Sequence, residues 1–275
     1  MISIVTAVAN KNFAWQMGLF WAQHKKIYGE AAPRLAMSMI ARKNFTYDNY
    51  SGDSSFDIEN NLEIPRMYFD GACDRLGDDI NNVPLNIQYG LMNLLPNLDP
   101  EETIEVLDCD LFHLAPRQKV VEHGVIYADP IYEKWHLYSK TVNNHVMAPF
   151  VKTQKYYNGG FVPLICTVKT MSEILPVWTH ISISILKMFG DKNIKWWNSM
   201  YGLCVACEIL KIKMIDTHDM YVPPVNTIEG KTIAHYSVDN QWARKKTKNP
   251  VGSDQDPYTR AIQEYIEAQK KPPIS

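Results

Sequence analysis

Ile104-Glu-Val-Leu-Asp-Cys-Asp-Leu-Phe112 is an apolar, strand-like run that ends in two aspartates one residue apart, Asp108 and Asp110. Successive side chains of a strand point to opposite faces, so these two positions share a face and can offer oxygen ligands to one hard divalent cation. A manganese or magnesium ion held there would neutralise a diphosphate. Isolated Asp-x-Asp triplets are common in turns. Here Val106 and Leu107 mark a buried central strand, and open α/β sheets bind ligands beyond the carboxyl ends of their strands, where this pair falls.

Upstream, residues 2–8 read as a first strand and 13–24 as a helix carrying Phe13, Trp15, Met17, Phe20 and Trp21. The turn between them lacks G-x-G-x-x-G, which argues against a dinucleotide fingerprint. A second apolar run covers 35–40, a polar stretch rich in Asn, Asp, Ser and Tyr covers 42–61, and a helix is expected over 84–95, broken by Pro96 and Asp99-Pro100. Strand, helix, strand, loop, helix, strand is an α/β signature with a mainly parallel central sheet. Downstream, residues 120–127 continue the apolar pattern, and Tyr156-Tyr-Asn-Gly-Gly160 introduces a strand over 161–168. Helices follow over 171–188 and 196–210, Tyr221-Val-Pro-Pro224 stops the helical region, and 232–237 forms a short strand that delivers His235 into a loop. One domain over 1–275 is expected, with a helical tail from about residue 250 that includes a charged helix over 257–271.

At 275 residues the chain can bury a substantial core. Lys and Arg number 28 against 30 Asp and Glu, so no global basic field of the kind that drives nonspecific nucleic-acid binding exists. The first eight residues are too short and uncharged for a signal peptide, and no run approaches the roughly 18 apolar residues of a membrane span, which predicts a soluble, cytoplasmic protein. Five cysteines are an odd number that argues against a disulfide framework. Cys204 and Cys207 lie in an apolar helical stretch with no second ligand pair and read as core residues. His113, His123, His136 and His145 match no zinc spacing and read as exposed or capping histidines.

Three features converge on one chemistry: the strand-end aspartates, the Asn158-Gly159-Gly160 turn, and His235 followed by the basic run Arg244-Lys-Lys-Thr-Lys248. Glycines let backbone approach a ligand, a histidine suits a manganese-like ion, and lysines stabilise the charge on a departing nucleoside diphosphate. The chain resembles the GT-A glycosyltransferases, and among them the plant and algal hydroxyproline O-arabinosyltransferases and peptidyl-serine galactosyltransferases. The resemblance rests on Val83-Pro-Leu-Asn-Ile-Gln-Tyr-Gly-Leu91, Glu105-Val-Leu-Asp-Cys-Asp-Leu-Phe112 with Pro116, and Gly160-Phe-Val-Pro-Leu-Ile165. It continues through Leu175-Pro-Val-Trp178, Trp196 to Met200-Tyr201, Val222-Pro-Pro224 and Ile233-Ala-His-Tyr-Ser237. These elements run in order from about residue 80 to 240, while the N-terminal part matches in outline.

The resemblance implies a UDP-sugar donor lying across the carboxyl ends of the sheet, with its diphosphate on Mn2+ or Mg2+. It assigns Asp108, Asp110 and His235 to the metal, with Asp108 also touching the ribose or donor sugar. Thr6 and Ala7 fall near the nucleotide, Asn86 places the donor, Asn158, Gly159 and Gly160 line the sugar pocket, and Lys245 of the basic run contacts the nucleotide. Trp196, Trp197 and Trp242 stack on a sugar or pack in the core. Two departures stand out: Ser199 occupies a position that is acidic in the family, and Ile87 one that is basic. The first leaves any catalytic base unassigned, with Glu208, Asp216 and Asp219 as substitutes.

The reaction implied is transfer of a sugar, with arabinose first by resemblance, to a hydroxyl of a glycan, a protein or a hydroxymethylated DNA base in a bacterial or viral setting. Lys152, Lys155 and 244–248 would follow DNA phosphates in the last case. A noncatalytic nucleotide-sugar-binding module is the alternative, favoured by Ser199. A metal-dependent phosphohydrolase is a third reading, set back by the want of more carboxylates at strand ends.

Overall fold

In the computed structural model the described residues are 1–8, 11–29, 34–41, 66–70, 85–108, 111–117, 119–129, 145–152, 161–189, 192–221 and 228–235, with 260, 261, 263, 264 and 267 near the C-terminus. The chain opens with β1 (Ile2–Val8), α1 (Lys11–Tyr28), β2 (Arg34–Ala41) and β3 (Arg66–Asp70), then α2 (Asn86–Leu94) and a 3-10 turn over Leu95–Asn97. Strands β4 (Thr103–Asp108), β5 (Leu111–His113), β6 (Val125–Asp129) and β7 (Phe161–Thr167) follow. Helices α3 (Val168–Phe189) and α4 (Lys192–Leu210) precede β8 (Lys213–Asp216), β9 (Met220–Tyr221) and β10 (Ile233–His235).

A seven-stranded sheet has the order β3-β2-β1-β4-β7-β6-β8, and a three-stranded sheet has the order β5-β10-β9. The α/β expectation holds, with one refinement: β7 runs antiparallel to both neighbours, β4 and β6, while the remaining neighbours in the large sheet are parallel. The expected strand over 104–112 is two strands in two sheets. Residues 104 to 107 are buried and end in Asp108 at the edge of the large sheet. Leu111 and His113 are buried instead beside α1 and β10. Both halves are extended, so hydrophobic spacing does not register the change of sheet. The strands β3, β8 and β9 are not anticipated by the sequence reading.

Helix ends explain the boundaries. Thr167 precedes α3, and its hydroxyl accepts the Thr170 backbone N–H at 3.1 Å, so the helix starts at Val168 rather than 171. At the end of α4, Lys211 adopts φ 58°. The Ile212 N–H then donates to the Cys207 carbonyl at 2.9 Å and the Lys211 N–H to Glu208 at 3.3 Å, a two-bond termination that satisfies the last carbonyls. Near the C-terminus, Lys26 of α1 and Glu264 pair at 2.6 Å across exposed side chains while Ala261 is buried. No described helix is long and apolar enough to cross a membrane.

α3 and α4 form a close antiparallel hairpin whose side chains join α2 and the sheet in the main core, with Leu91, Ile104, Val106, Met171, Trp178 and Leu203 at its centre. Ser182 is the polar node. Its hydroxyl accepts from Gln88 Nε2 of α2 at 3.1 Å, and its carbonyl accepts from Asn198 Nδ2 of α4 at 3.2 Å. Opposite stands Gly202, where an added Cβ would lie 2.1 Å from Ser182 Oγ and 3.1 Å from Ser182 Cβ and N. In a helix interior Gly→Ala ordinarily gains about 1 kcal/mol, whereas overpacking costs about 1–3 kcal/mol. Gly202→Ala is therefore expected to lower the urea midpoint, with a net loss of about 1 kcal/mol; a raised midpoint would contradict the close packing. Cys166, Cys204 and Cys207 are buried thiols outside any disulfide, and burial pushes them far above the ordinary range, as core cysteines require.

Candidate active site

The parallel strands send their carboxyl ends to one edge of the large sheet, and strand register says what meets there. Thr6 of β1 stands beside Asp108 of β4, with Ala7 the next residue along β1. Asn86 opens α2, which leads from this edge back toward the start of β4 and packs on β1, β2 and β3. In the small sheet β10 lies between β5 and β9, and His235 is paired with Leu111, the residue after Asp110. The fold thus brings His235, remote in sequence, opposite Leu111, the residue that follows the Asp-x-Asp triplet in the chain. Asp108 is half-buried and His235 is buried. Asp110, Asn158, Gly159, Gly160, Lys245 and Trp242 lie outside the described residues. Trp197 packs partly buried against the small cluster around Val146 and Ile185, as a core tryptophan does.

Sequence reasoning missed Asp129. It ends β6 and is paired with Phe161, the residue that follows Asn158-Gly159-Gly160 in the chain, at a register shift that bends the strand end. Thr217 Oγ1 donates to Asp129 Oδ2 at 2.8 Å, and burial raises the carboxyl above its ordinary range. The readable signal was Val125-Ile-Tyr-Ala-Asp129 followed by Pro130, another apolar run closed by an aspartate. Asp70, Asp108, Asp129 and Asp216 are in fact the last residues of β3, β4, β6 and β8, so carboxylates at strand ends are more numerous than the sequence reading found. They are spread along the edge: β7 separates β4 from β6.

Of the substitutes for a catalytic base, Asp219 is engaged by Arg117 at 3.7 Å and Lys119 at 3.4 Å. Glu208 sits at the far end of α4, next to the start of β8 and away from the carboxyl edge. Asp216 closes β8, the outermost strand. Ser199 is buried and its carbonyl accepts from Trp178 Nε1 at 2.6 Å, so this position serves the helix hairpin.

The histidine expectation needs correction at His113, which is buried at 1% exposure rather than exposed. Phe20, His24 and Tyr28, one helical turn apart on α1, surround it at ring-centroid distances of 5.5, 5.2 and 5.1 Å. His123 is exposed and meets Glu173 at 3.0 Å, and exposed His145 packs on Phe189. His136 lies outside the described residues. Burial, then the charges of His24 and Arg117, hold the His113 imidazole well below its ordinary range. The folded protein therefore keeps it neutral while the unfolded chain takes up a proton near pH 6.5, so the stability it contributes is present above that pH and lost below it. Relative to the wild type, His113→Phe should gain about 1.4 kcal/mol per pH unit as pH falls below about 6.5, measured by urea unfolding from pH 8 to 5. A constant difference between the two proteins would contradict a buried neutral imidazole.

Two carboxylates and an imidazole would be a donor set suited to Mn2+ or Mg2+. Among the described residues no three His, Cys, Asp or Glu side chains gather as a metal site, and the expected set includes Asp110, which lies outside them.

The sheet order, the aspartate-ended fourth strand and the small second sheet define a GT-A glycosyltransferase fold. Among solved structures, galactosyltransferase LgtC in complex with donor and acceptor sugar analogues is similar with a TM-score of 0.59 at 10% identity, covering 99% of this chain and 98% of that one. An active-site mutant of LgtC gives 0.58 at 12% over the same shares. The bifunctional glycosyltransferase WbbM gives 0.61 at 10%, covering 97% of this chain and 49% of that one. No family model and no curated protein matches the sequence. The similarity is to the GT-A fold and does not single out the arabinosyl- or galactosyltransferase families suggested by the motifs.

Proposed function

We propose that the protein is a metal-dependent glycosyltransferase that moves a sugar from a UDP-sugar to a hydroxyl acceptor. The observation that carries this reading is the convergence, on a GT-A fold, of Thr6 beside Asp108 and of His235 beside the residue that follows Asp110. Asp108, Asp110 and His235 hold a divalent ion, and that ion supplies charge neutralisation for the departing diphosphate. Thr6 and Ala7 border the nucleotide, Asn86 at the start of α2 orients the donor, and Asn158, Gly159 and Gly160 admit the sugar beside Asp129. Lys245 adds positive charge at the leaving group. Arabinose is the first donor to try, by the resemblance of the motifs.

The test is manganese-dependent release of nucleoside diphosphate from a panel of UDP- and GDP-sugars, with and without hydroxymethylated DNA. Release from one donor names the sugar, and stimulation by the DNA, declining steeply with salt, names the acceptor class. Release unaffected by DNA directs the search to glycan or protein hydroxyls. A metal-dependent phosphohydrolase would release inorganic phosphate instead, and the spread of the strand-end aspartates along the edge sets that reading back. Metal-dependent donor binding without any release would identify the noncatalytic module.

A further inference from the structure

Arg117 is a long cation with only 2% of its side chain exposed, and it lies in the segment that leaves β5. A buried guanidinium is costly unless charged partners meet it, so what meets Arg117 shows what it holds together. Three elements do. Tyr28 of α1 fixes the backbone: its hydroxyl accepts the Arg117 N–H at 2.9 Å and lies 3.3 Å from the Arg117 carbonyl, to which it donates. Glu105 of β4, fully buried, lies 3.2 Å from Arg117 Nε as an ion pair outside hydrogen-bond geometry. Asp219, between β8 and β9, approaches the other end of the guanidinium at 3.7 Å and also meets Lys119.

Asp219 links this arginine to the small sheet through its backbone. Its carbonyl accepts the N–H groups of Thr232 at 3.0 Å and Ile233 at 3.4 Å, at the start of β10. On the other flank the Thr232 carbonyl accepts from Leu114 at 2.8 Å and Ala115 at 3.2 Å, just ahead of Arg117 in the chain. Two residues beyond Ile233 along β10 stands His235. A continuous path therefore runs from Glu105 on the aspartate strand, through Arg117 and Asp219, to the strand that carries the histidine.

We propose that Arg117 is a positioning residue whose buried guanidinium, clasped between Glu105 and Asp219, sets β10 against β5 and so places His235 beside the Asp108 and Asp110 segment. This inference rests on the metal-site reading given above. Groups that hold a metal ligand in place typically change metal affinity about 10- to 100-fold when removed. Asp219 is the arm to cut, because its side chain is 26% exposed and Asn keeps its shape.

The experiment measures Mn2+ binding in the presence of UDP by electron paramagnetic resonance of the free ion, for the wild type, Asp219→Asn, Arg117→Lys and His235→Ala. Thermal midpoints are taken in EDTA, and hydrogen exchange is followed at the amides of β10. The expected result is Mn2+ affinity lowered about tenfold in Asp219→Asn, with the midpoint held within about 2 °C and faster exchange in β10. Arg117→Lys, which keeps the charge but replaces two separated nitrogens by a single point charge, should show the same direction. Wild-type affinity in Asp219→Asn beside lost affinity in His235→Ala would overturn the clasp and leave the metal site standing. Wild-type affinity in His235→Ala would overturn the metal site itself and the clasp with it. A fall in the Asp219→Asn midpoint that matches its loss of affinity would reduce the clasp to a fold-stabilising contact and overturn the positioning role.

Discussion

Asp110→Asn is expected to lower metal-dependent nucleoside-diphosphate release by about a thousandfold or more, with the circular dichroism and thermal midpoint of the wild type. The substitution is nearly isosteric and removes one negative charge from the proposed set of two carboxylates and one imidazole. Electrostatic stabilisation of a departing diphosphate is worth several kcal/mol, and about 4 kcal/mol corresponds to roughly a thousandfold in rate. Excess Mn2+ should recover only part of the loss. His235→Ala should fall in the same direction with a raised Mn2+ requirement, because one proposed ligand is lost and both proposed carboxylates remain. Undiminished release from Asp110→Asn, measured at saturating donor, would place the metal elsewhere on the carboxyl edge, where Asp70, Asp129 and Asp216 also end strands.

Trp178→Ala should produce the largest loss of stability. Trp178 is 2% exposed in the main core, and its indole N–H reaches the Ser199 carbonyl across the α3–α4 hairpin at 2.6 Å. Truncating a buried tryptophan costs about 3–5 kcal/mol, and the orphaned carbonyl adds to it. Against a total stability of about 5–15 kcal/mol, that is a third or more of what holds the fold in many domains. Trp178→Phe keeps most of the packing and loses the hydrogen bond, so about 1–2 kcal/mol is expected. Urea unfolding of the three proteins checks both values, and a loss below about 1 kcal/mol in the alanine variant would mean that the hairpin is not anchored there.

The sequence was most readable where side-chain spacing and burial agree. Ile104 to Asp108 announces a buried strand with a carboxylate at its end, and the structure has that strand beside β1 with Thr6 and Asp108 in register. The helices over 168–189 and 192–210 were visible for the same reason, although their starts were read late: the Thr167 cap lies before the apolar stripe begins. Direction is invisible to spacing, so nothing in Phe161 to Thr167 told that β7 runs against its neighbours. β8 and β9 are too short to show a period, and Lys213 to Asp216 is only partly buried. His113 was misread because its burial is imposed by α1, where Phe20, His24 and Tyr28 recur every fourth residue and form an aromatic wall. The pairing of His235 with Leu111 depends on a second sheet whose strands are far apart in the chain.

Calorimetric titration of UDP into the wild-type protein, once with Mn2+ and once with EDTA, tests the central claim most directly. The account predicts saturable binding at one site with Mn2+ and binding weakened at least about tenfold without it, since the diphosphate then meets the carboxylates uncompensated. No binding of UDP in the presence of Mn2+, or equal affinity with and without the metal, would contradict a nucleotide-sugar site built on Asp108, Asp110 and His235.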